Sequence, residues 1–186
     1  MESNLILDHT KIGRILERLA HQIMEETHTE TEIVLAGVYP NGTVMAKRLK
    51  TLIEKRISVQ VSLAEIKMDK SNPSLSGIQI SPAETSLSNK TVILADDVMN
   101  SGKTTAYALS ALLEKGAGII KTVVLVDRNH KDFPIKADFV GYSLSTNLHD
   151  HVQVELGETD SAVLVLTLFK AHRKTLPEFC HGYLYS

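Results

Sequence analysis

Thr91-Val92-Ile93-Leu94-Ala95-Asp96-Asp97-Val98-Met99-Asn100-Ser101-Gly102-Lys103-Thr104-Thr105 is the stretch that decides the fold. Thr91 to Ala95 is an unbroken apolar, β-branched run, as expected of a strand covered on both faces. A turn from Asp96 to Gly102 follows. A helix then runs to about Lys115, where Gly116 and Gly118 stop it. Upstream, Ile33 to Val38 is a second buried strand that runs into the turn residues Tyr39-Pro40-Asn41-Gly42. Val44 to Ile53 then carries Val44, Met45, Leu49, Leu52 and Ile53 on one helical face. Residues 8 to 27 have Ile12, Ile15, Leu16, Leu19 and Ile23 at helical spacing, with Asp8 or Thr10 as cap. Downstream, Ile119 to Val126 is another buried strand. Strands alternating with helices predict an α/β fold with a mainly parallel central sheet flanked by helices. Ligands of such sheets sit at the carboxyl ends of the strands, which selects loops 39 to 43, 96 to 104 and 127 to 137.

The remaining chain adds a strand at Ser58 to Leu63 and short strands at Phe139 to Tyr142, Val152 to Leu156 and Val163 to Phe169. Residues 67 to 90 are rich in Lys, Ser, Asn, Pro and Thr, and read as a long loop or hairpin of the kind that forms lids. Residues 1 to 186 form a single domain, with 170 to 186 as an extension of unassigned role. Apolar residues make up 43% of the chain, enough for a core, so global disorder is excluded. No apolar run reaches the ~18 residues a membrane helix requires. Met1 to His9 lacks a secretion pattern, and Cys180 is the only cysteine, so no internal disulfide forms and a cytoplasmic location is expected. Cys180 itself reads as structural or incidental. The formal charge of −2 argues against general nucleic-acid binding. Lys47, Arg48, Lys50, Lys55 and Arg56 interleave with a helical apolar stripe and read as a solvated face.

The chemistry gathers where the central strand ends. Amides of the turn and of the first helical turn converge there, and the helix dipole favours an anion. Gly102 allows close backbone approach, and Ser101, Thr104 and Thr105 supply hydroxyl donors. Asp96 and Asp97 accept only, which suits ribose hydroxyls with Mg²⁺ offsetting the charge. The combination fits a sugar phosphate. Ser101-Gly102-Lys103-Thr104 superficially matches the end of a P-loop, but Asp97 stands where that motif needs its first glycine. The bland alternative is a strand-turn-helix corner capped by two aspartates, which leaves the glycine and the three hydroxyls unexplained.

This segment closely resembles the 5-phosphoribosyl-1-pyrophosphate (PRPP) signature of type I phosphoribosyltransferases: an apolar strand, two acids, a short turn and a Ser/Thr-Gly-x-Thr loop. The resemblance implies that fold, with a flexible loop and a small hood. It implies that Asp96 and Asp97 hold the ribose hydroxyls and that Asn100, Ser101, Gly102, Lys103 and Thr104 cradle the 5′-phosphate. Asp97 inherits a role as general base. Val124 to Gly141, with Val126-Asp127-Arg128-Asn129-His130 at its heart, and Val34 to Leu49 look like the PyrR family, pyrimidine attenuation regulators with uracil phosphoribosyltransferase activity. That resemblance spans roughly residues 10 to 157.

By the same resemblance, Val38, Tyr39 and Gly42 lie in the pyrophosphate loop, and Asp127 and Arg128 lie beside the ribose-diphosphate. For the latter two, a structural ion pair is the alternative. Mg²⁺ would be met by Asp96, Asp97 and Asp127 through its complex with PRPP. Lys136, Phe139 and Val140 would contribute to the base site, with core packing equally open for Phe139. The implied substrates are PRPP and a nucleobase, uracil first and a purine second. The alternative function is a PRPP-sensing regulator in which RNA is a partner, which the near-neutral charge disfavours. A homo-oligomer is the habit of the family.

The sequence also departs from the pattern. Pro40 and Asn41 replace a Thr-Arg pair in the pyrophosphate loop, and the flexible loop shows Met68, Asp69 and Lys70 where an arginine is usual. Each change removes a bidentate clamp for phosphate oxygens. His149-Asp150-His151 lacks a third metal ligand and reads as a polar strand edge, and His130 is left between a loop surface and the site rim.

Overall fold

The computed structural model describes residues 2–83, 85–129, 131–145, 151–157 and 159–166. In chain order they form β1 (Glu2–Leu7), α1 (His9–Glu26), β2 (Glu32–Val38), α2 (Asn41–Glu54), β3 (Gln60–Lys67), a 3-10 turn (Leu75–Gly77), β4 (Gln79–Ser81), β5 (Thr91–Met99), α3 (Lys103–Glu114), β6 (Ile119–Arg128), β7 (Phe139–Leu144), β8 (His151–Glu155) and β9 (Ser161–Leu166). His130, His149, Asp150, Cys180 and the extension 170 to 186 lie outside the described residues.

The six-stranded sheet has the order β4-β3-β2-β5-β6-β7. β2 pairs in parallel with β3 and β5, and β6 pairs in parallel with β5 and β7; only β4 runs antiparallel, on the edge beside β3. The apolar runs are continuous because both faces are covered. Ile33, Leu35, Ile93, Ala95, Val123 and Leu125 point to the side of α1 and α2. Val34, Ala36, Val92 and Leu94 meet Ala108 and Leu112 of α3 on the other. Helix α1 buries Ile12, Leu16, Leu19 and Ile23 at the expected spacing, and the Asp8 carboxylate caps it by accepting from the Lys11 amide at 2.8 Å.

A second, antiparallel sheet of order β1-β9-β8 forms the hood. It is tied down through Asp160, a buried carboxylate. Arg48 of α2 donates to Asp160 Oδ2 at 2.5 Å and to Gly157 O at 2.7 Å, while His9 Nδ1 lies 3.3 Å from the same carboxylate.

Three features differ from the sequence reading. β1 has no counterpart in it. Leu5 is 63% exposed and Leu7 is buried, so the strand has little local apolar signal and owes its form to pairing with β9, far along the chain. β5 continues past Ala95 to Met99, because β6 pairs with it as far as Met99 opposite Asp127. The two acids therefore sit on the strand rather than in the turn. Residues 67 to 90, expected as a long loop or hairpin, begin as the hairpin, with β4 antiparallel to β3, and differ in their packing: Ile78, Ile80 and Leu87 join the core on the α3 side.

Candidate active site

Three loops meet at the carboxyl ends of β2, β5 and β6, and glycines allow the approach. A Cβ on Gly37 would collide with Gly42 O and Thr43 Cα, and one on Gly42 would collide with Ala95 O. The start of α2 is thus pressed against the two central strands. Gly102, at φ +86°, adopts a left-handed conformation that side chains resist, and it turns the chain into α3. The Ser101 carbonyl accepts from the amides of Asp132 and Phe133, both at 3.1 Å, so the β6–β7 loop holds this turn in place. Val98 to Thr105 line a small cup of about 40 Å³ at the N-terminus of α3, which brings Asn100, Ser101, Gly102, Lys103 and Thr104 around one concavity.

Beside the cup stand the twin acids. Asp96 is 4% exposed, and burial pushes its carboxyl up to about 7, with the charge of Lys70 pulling the other way. Asp97 is half-buried. Burial works upward on it too, but the hydrogen bond with Asp96, the charge of Lys70 and the Asn41 amide outweigh this and hold it below the usual carboxylate range. Two neighbouring acids are thereby split into one that takes a proton easily and one that stays ionised. Lys70 Nζ lies 3.1 Å from Asp96 Oδ1 and 3.5 Å from Asp97 Oδ1. Asn41 donates to Asp97 Oδ2 at 2.7 Å and to Val154 O of the hood at 2.8 Å.

The residues expected in a pyrophosphate loop, Val38, Tyr39 and Gly42, are placed differently from one another. Val38 is buried on the α3 side of the sheet, and the Tyr39 amide is committed to Ile66 O at 2.9 Å. The Tyr39 ring is exposed, with the Lys67 ammonium 5.2 Å from its centre. Gly42 belongs to the first turn of α2, where a helix N-terminus favours an anion.

At the end of β6, Asp127 and Arg128 turn to different partners. Asp127 forms a short ion pair with Lys131, which also donates to Met99 O at 3.0 Å and Asn100 O at 3.2 Å. Arg128 donates to the Asn100 side chain at 3.0 Å. Both residues therefore brace the cup at the start of α3, and Asp127 stands at its edge. Lys136 is exposed just before β7. Phe139 is 8% exposed and packs in the main core with Val123 and Leu125, so core packing holds for this ring and it offers no free face to a base. Alternation along β7 turns Val140 to the opposite side, against Met99, Val124, Ala137 and Ile135.

Lys70, Asn41 and Lys131 were not identified as site residues by sequence reading. Lys70 and Asn41 registered only as departures from a pattern. Their partners are distant in sequence, so only the fold reveals their contacts.

Residues 3–159 match the family model described as phosphoribosyl transferase domain. The Bifunctional protein PyrR of Bacillus pumilus (strain SAFR-032) is 35% identical over 173 residues, covering 87% of this chain and 94% of that protein. The protein of the same name from Brevibacillus brevis is 36% identical over 167 residues, covering 86% and 93%. Among solved structures, a hypoxanthine-guanine phosphoribosyltransferase from Bacillus anthracis str. 'Ames Ancestor' superposes with a TM-score of 0.65 at 20% identity, over 78% of this chain and 85% of that one. The hypoxanthine phosphoribosyltransferase of Trypanosoma cruzi gives a TM-score of 0.66 at 16% identity, over 80% and 84%. At such identities the two structures speak for the fold alone.

Proposed function

The chain belongs to the phosphoribosyl transferase domain family, and from that premise we propose that it transfers the phosphoribosyl group of PRPP to a ring nitrogen of uracil and releases pyrophosphate. The observation that carries this reading is the pair Asp96 and Asp97 at the end of β5, directly beside the cup that opens α3. The cup takes the 5′-phosphate, and the two acids accept from the ribose hydroxyls. The bond from C1′ to the diphosphate oxygen breaks with its electron pair leaving on pyrophosphate. The base nitrogen forms the new bond to C1′ and gives up its proton. Asp97, which its hydrogen bonds with Asp96 and Asn41 help to keep ionised, is the acceptor for that proton. The loop after β3, which carries Lys70, is the part of the chain able to cover the reacting centre and exclude water.

The donor set fits Mg²⁺ that arrives with the substrate. Among the described residues no group of three or more His, Cys, Asp or Glu builds a protein cage. Two hard carboxylates, Asp96 and Asp97, stand at one place, with Asp127 at the edge of the cup, and Mg²⁺ is commonly held by one or two carboxylates plus substrate oxygens. When bound, it would neutralise charge developing on the leaving diphosphate. A homo-oligomer and a cytoplasmic location belong to the same proposal. Among the described residues no helix is long and apolar enough to cross a membrane.

A regulatory, RNA-binding role is the second reading, favoured by the PyrR relatives. The engagement of Arg48 and Lys50 on α2, and of Arg56 just after it, weighs against that face as its surface. Arg48 is engaged by Asp160 and Gly157, Lys50 by Glu54 and the Val61 carbonyl, and Arg56 by Leu52 O. The test is pyrophosphate release from PRPP and Mg²⁺ with each common base in turn. Release with uracil supports the proposal, release only with a purine moves it to that substrate, and no release with any base removes it.

A further inference from the structure

The lid lysine, Lys70, occupies the oxygens that the substrate needs. Its position is set locally. Asp69 Oδ1 accepts from Ser71 N at 2.9 Å and from Ser71 Oγ at 2.6 Å, fixing the turn on which Lys70 sits. From there the side chain, 36% exposed, reaches inward to the buried carboxylate of Asp96 and the half-buried one of Asp97. Asp96 Oδ1 receives both the Lys70 ammonium at 3.1 Å and the Asp97 amide at 3.0 Å. Asp97 Oδ1 faces Lys70, and Asp97 Oδ2 accepts from Asn41. Among the described residues, Lys70 is the only cation within ion-pair distance of either acid.

Two neighbouring carboxylates in a closed corner repel one another unless a cation sits between them. In the substrate-free protein that cation is Lys70. Ribose hydroxyls and a magnesium ion would require the same oxygens, and an ammonium and a divalent cation cannot share them at close range. We infer that Lys70 is an internal counter-ion that holds the Asp96–Asp97 corner until Mg²⁺·PRPP displaces it, so that this side chain sets how tightly the corner takes a metal. The inference rests on the function proposed above, and it goes further in making the lid a competitor for the site as well as its cover.

The test uses Mn²⁺ as the probe, with the full chain and no PRPP, at pH 8.5, read by water-proton relaxation. Lys70→Gln should bind Mn²⁺ about tenfold more tightly than wild type, since a cation a few ångströms from the metal position is removed. Lys70→Arg keeps the charge and should bind as wild type does. Lys90→Gln removes an equal charge from the far end of β5, where Lys90 pairs with Glu32 at 2.7 Å, and should change nothing. Lys70→Met repeats the experiment with a second neutral side chain of similar length. Unchanged or weaker Mn²⁺ binding in both neutral variants would overturn the inference, as would an equal gain in Lys90→Gln. Pyrophosphate release by the wild-type preparation separates the two claims: turnover together with an unchanged Mn²⁺ affinity sinks the counter-ion and leaves the enzyme standing.

Discussion

Replacing Asp96 by Asn should stabilise the substrate-free protein while removing its turnover. Asp96 is a nearly buried carboxyl whose proton affinity rises from the ordinary 3.8 to about 7. Between those two values the folded chain holds the proton more firmly than the unfolded chain does. The unfolded state therefore binds fewer protons there, and stability falls as pH rises through this window. Above it the cost is complete, and the gap corresponds to about 4 kcal/mol. The opposing pull of Lys70 is already contained in that gap. The corner opens to solvent beside the lid, so relaxation and water entry roughly halve the figure, leaving about 2 kcal/mol. Asn has the same shape and its side-chain oxygen still accepts from the Asp97 amide, which makes 3.0 Å to Asp96 in the native chain. For a chain of this size the gain is about 4–8 °C in Tm. Thermal melts of both proteins from pH 5 to pH 8.5 provide the assay. Wild type should lose stability across the range relative to Asp96→Asn, and the gap between the two curves should narrow toward the acid end. Parallel curves, or a variant less stable than wild type at pH 8, would refute the electrostatic reasoning.

Three further outcomes are expected. Asn41→Ala should lower turnover and cost about 1–3 kcal/mol in urea unfolding, because Asp97 and the Val154 carbonyl both lose their amide partner; turnover equal to wild type would show that Asn41 does not orient Asp97. Gly42→Ala places a methyl against Ala95 O, so the start of α2 must shift, and PRPP binding measured by calorimetry should weaken at least tenfold. Asp160→Ala should destabilise by about 1–3 kcal/mol at pH 7, since Arg48 and the Gly157 amide lose the carboxylate they donate to and His9 loses its partner. Arg48 holds the Asp160 carboxyl below its ordinary range against the upward push of burial, so this contribution is present above pH ~4 and disappears as pH falls further. The difference between the two proteins should shrink in acid melts.

The sheet was legible because its strands are covered on both faces. Ile33 to Val38, Thr91 to Ala95 and Ile119 to Val126 announce themselves as apolar runs, and α1 shows its stripe from Ile12 to Ile23. β1 was not legible, since its partner β9 lies more than 150 residues away and its own residues alternate weakly. The acids and the cup were legible because one short segment holds them all, with the Gly102 turn between strand and helix. Lys70, Asn41 and Lys131 were not, because Lys70 and Lys131 meet the site from loops and Asn41 from the first turn of α2, and the placement of all three depends on the whole sheet. Phe139 shows the limit of reasoning by residue type: an aromatic ring suits a base or a core equally, and only the alternation along β7 decides that it faces inward.

The central claim is that Asp96 and Asp97 hold the ribose of PRPP. The most direct measurement is pyrophosphate release from PRPP, Mg²⁺ and uracil by wild type and by the double variant Asp96→Asn with Asp97→Asn, with circular dichroism confirming that both are folded. The account predicts release by wild type and none above background by the folded double variant. Undiminished release by the double variant would contradict it.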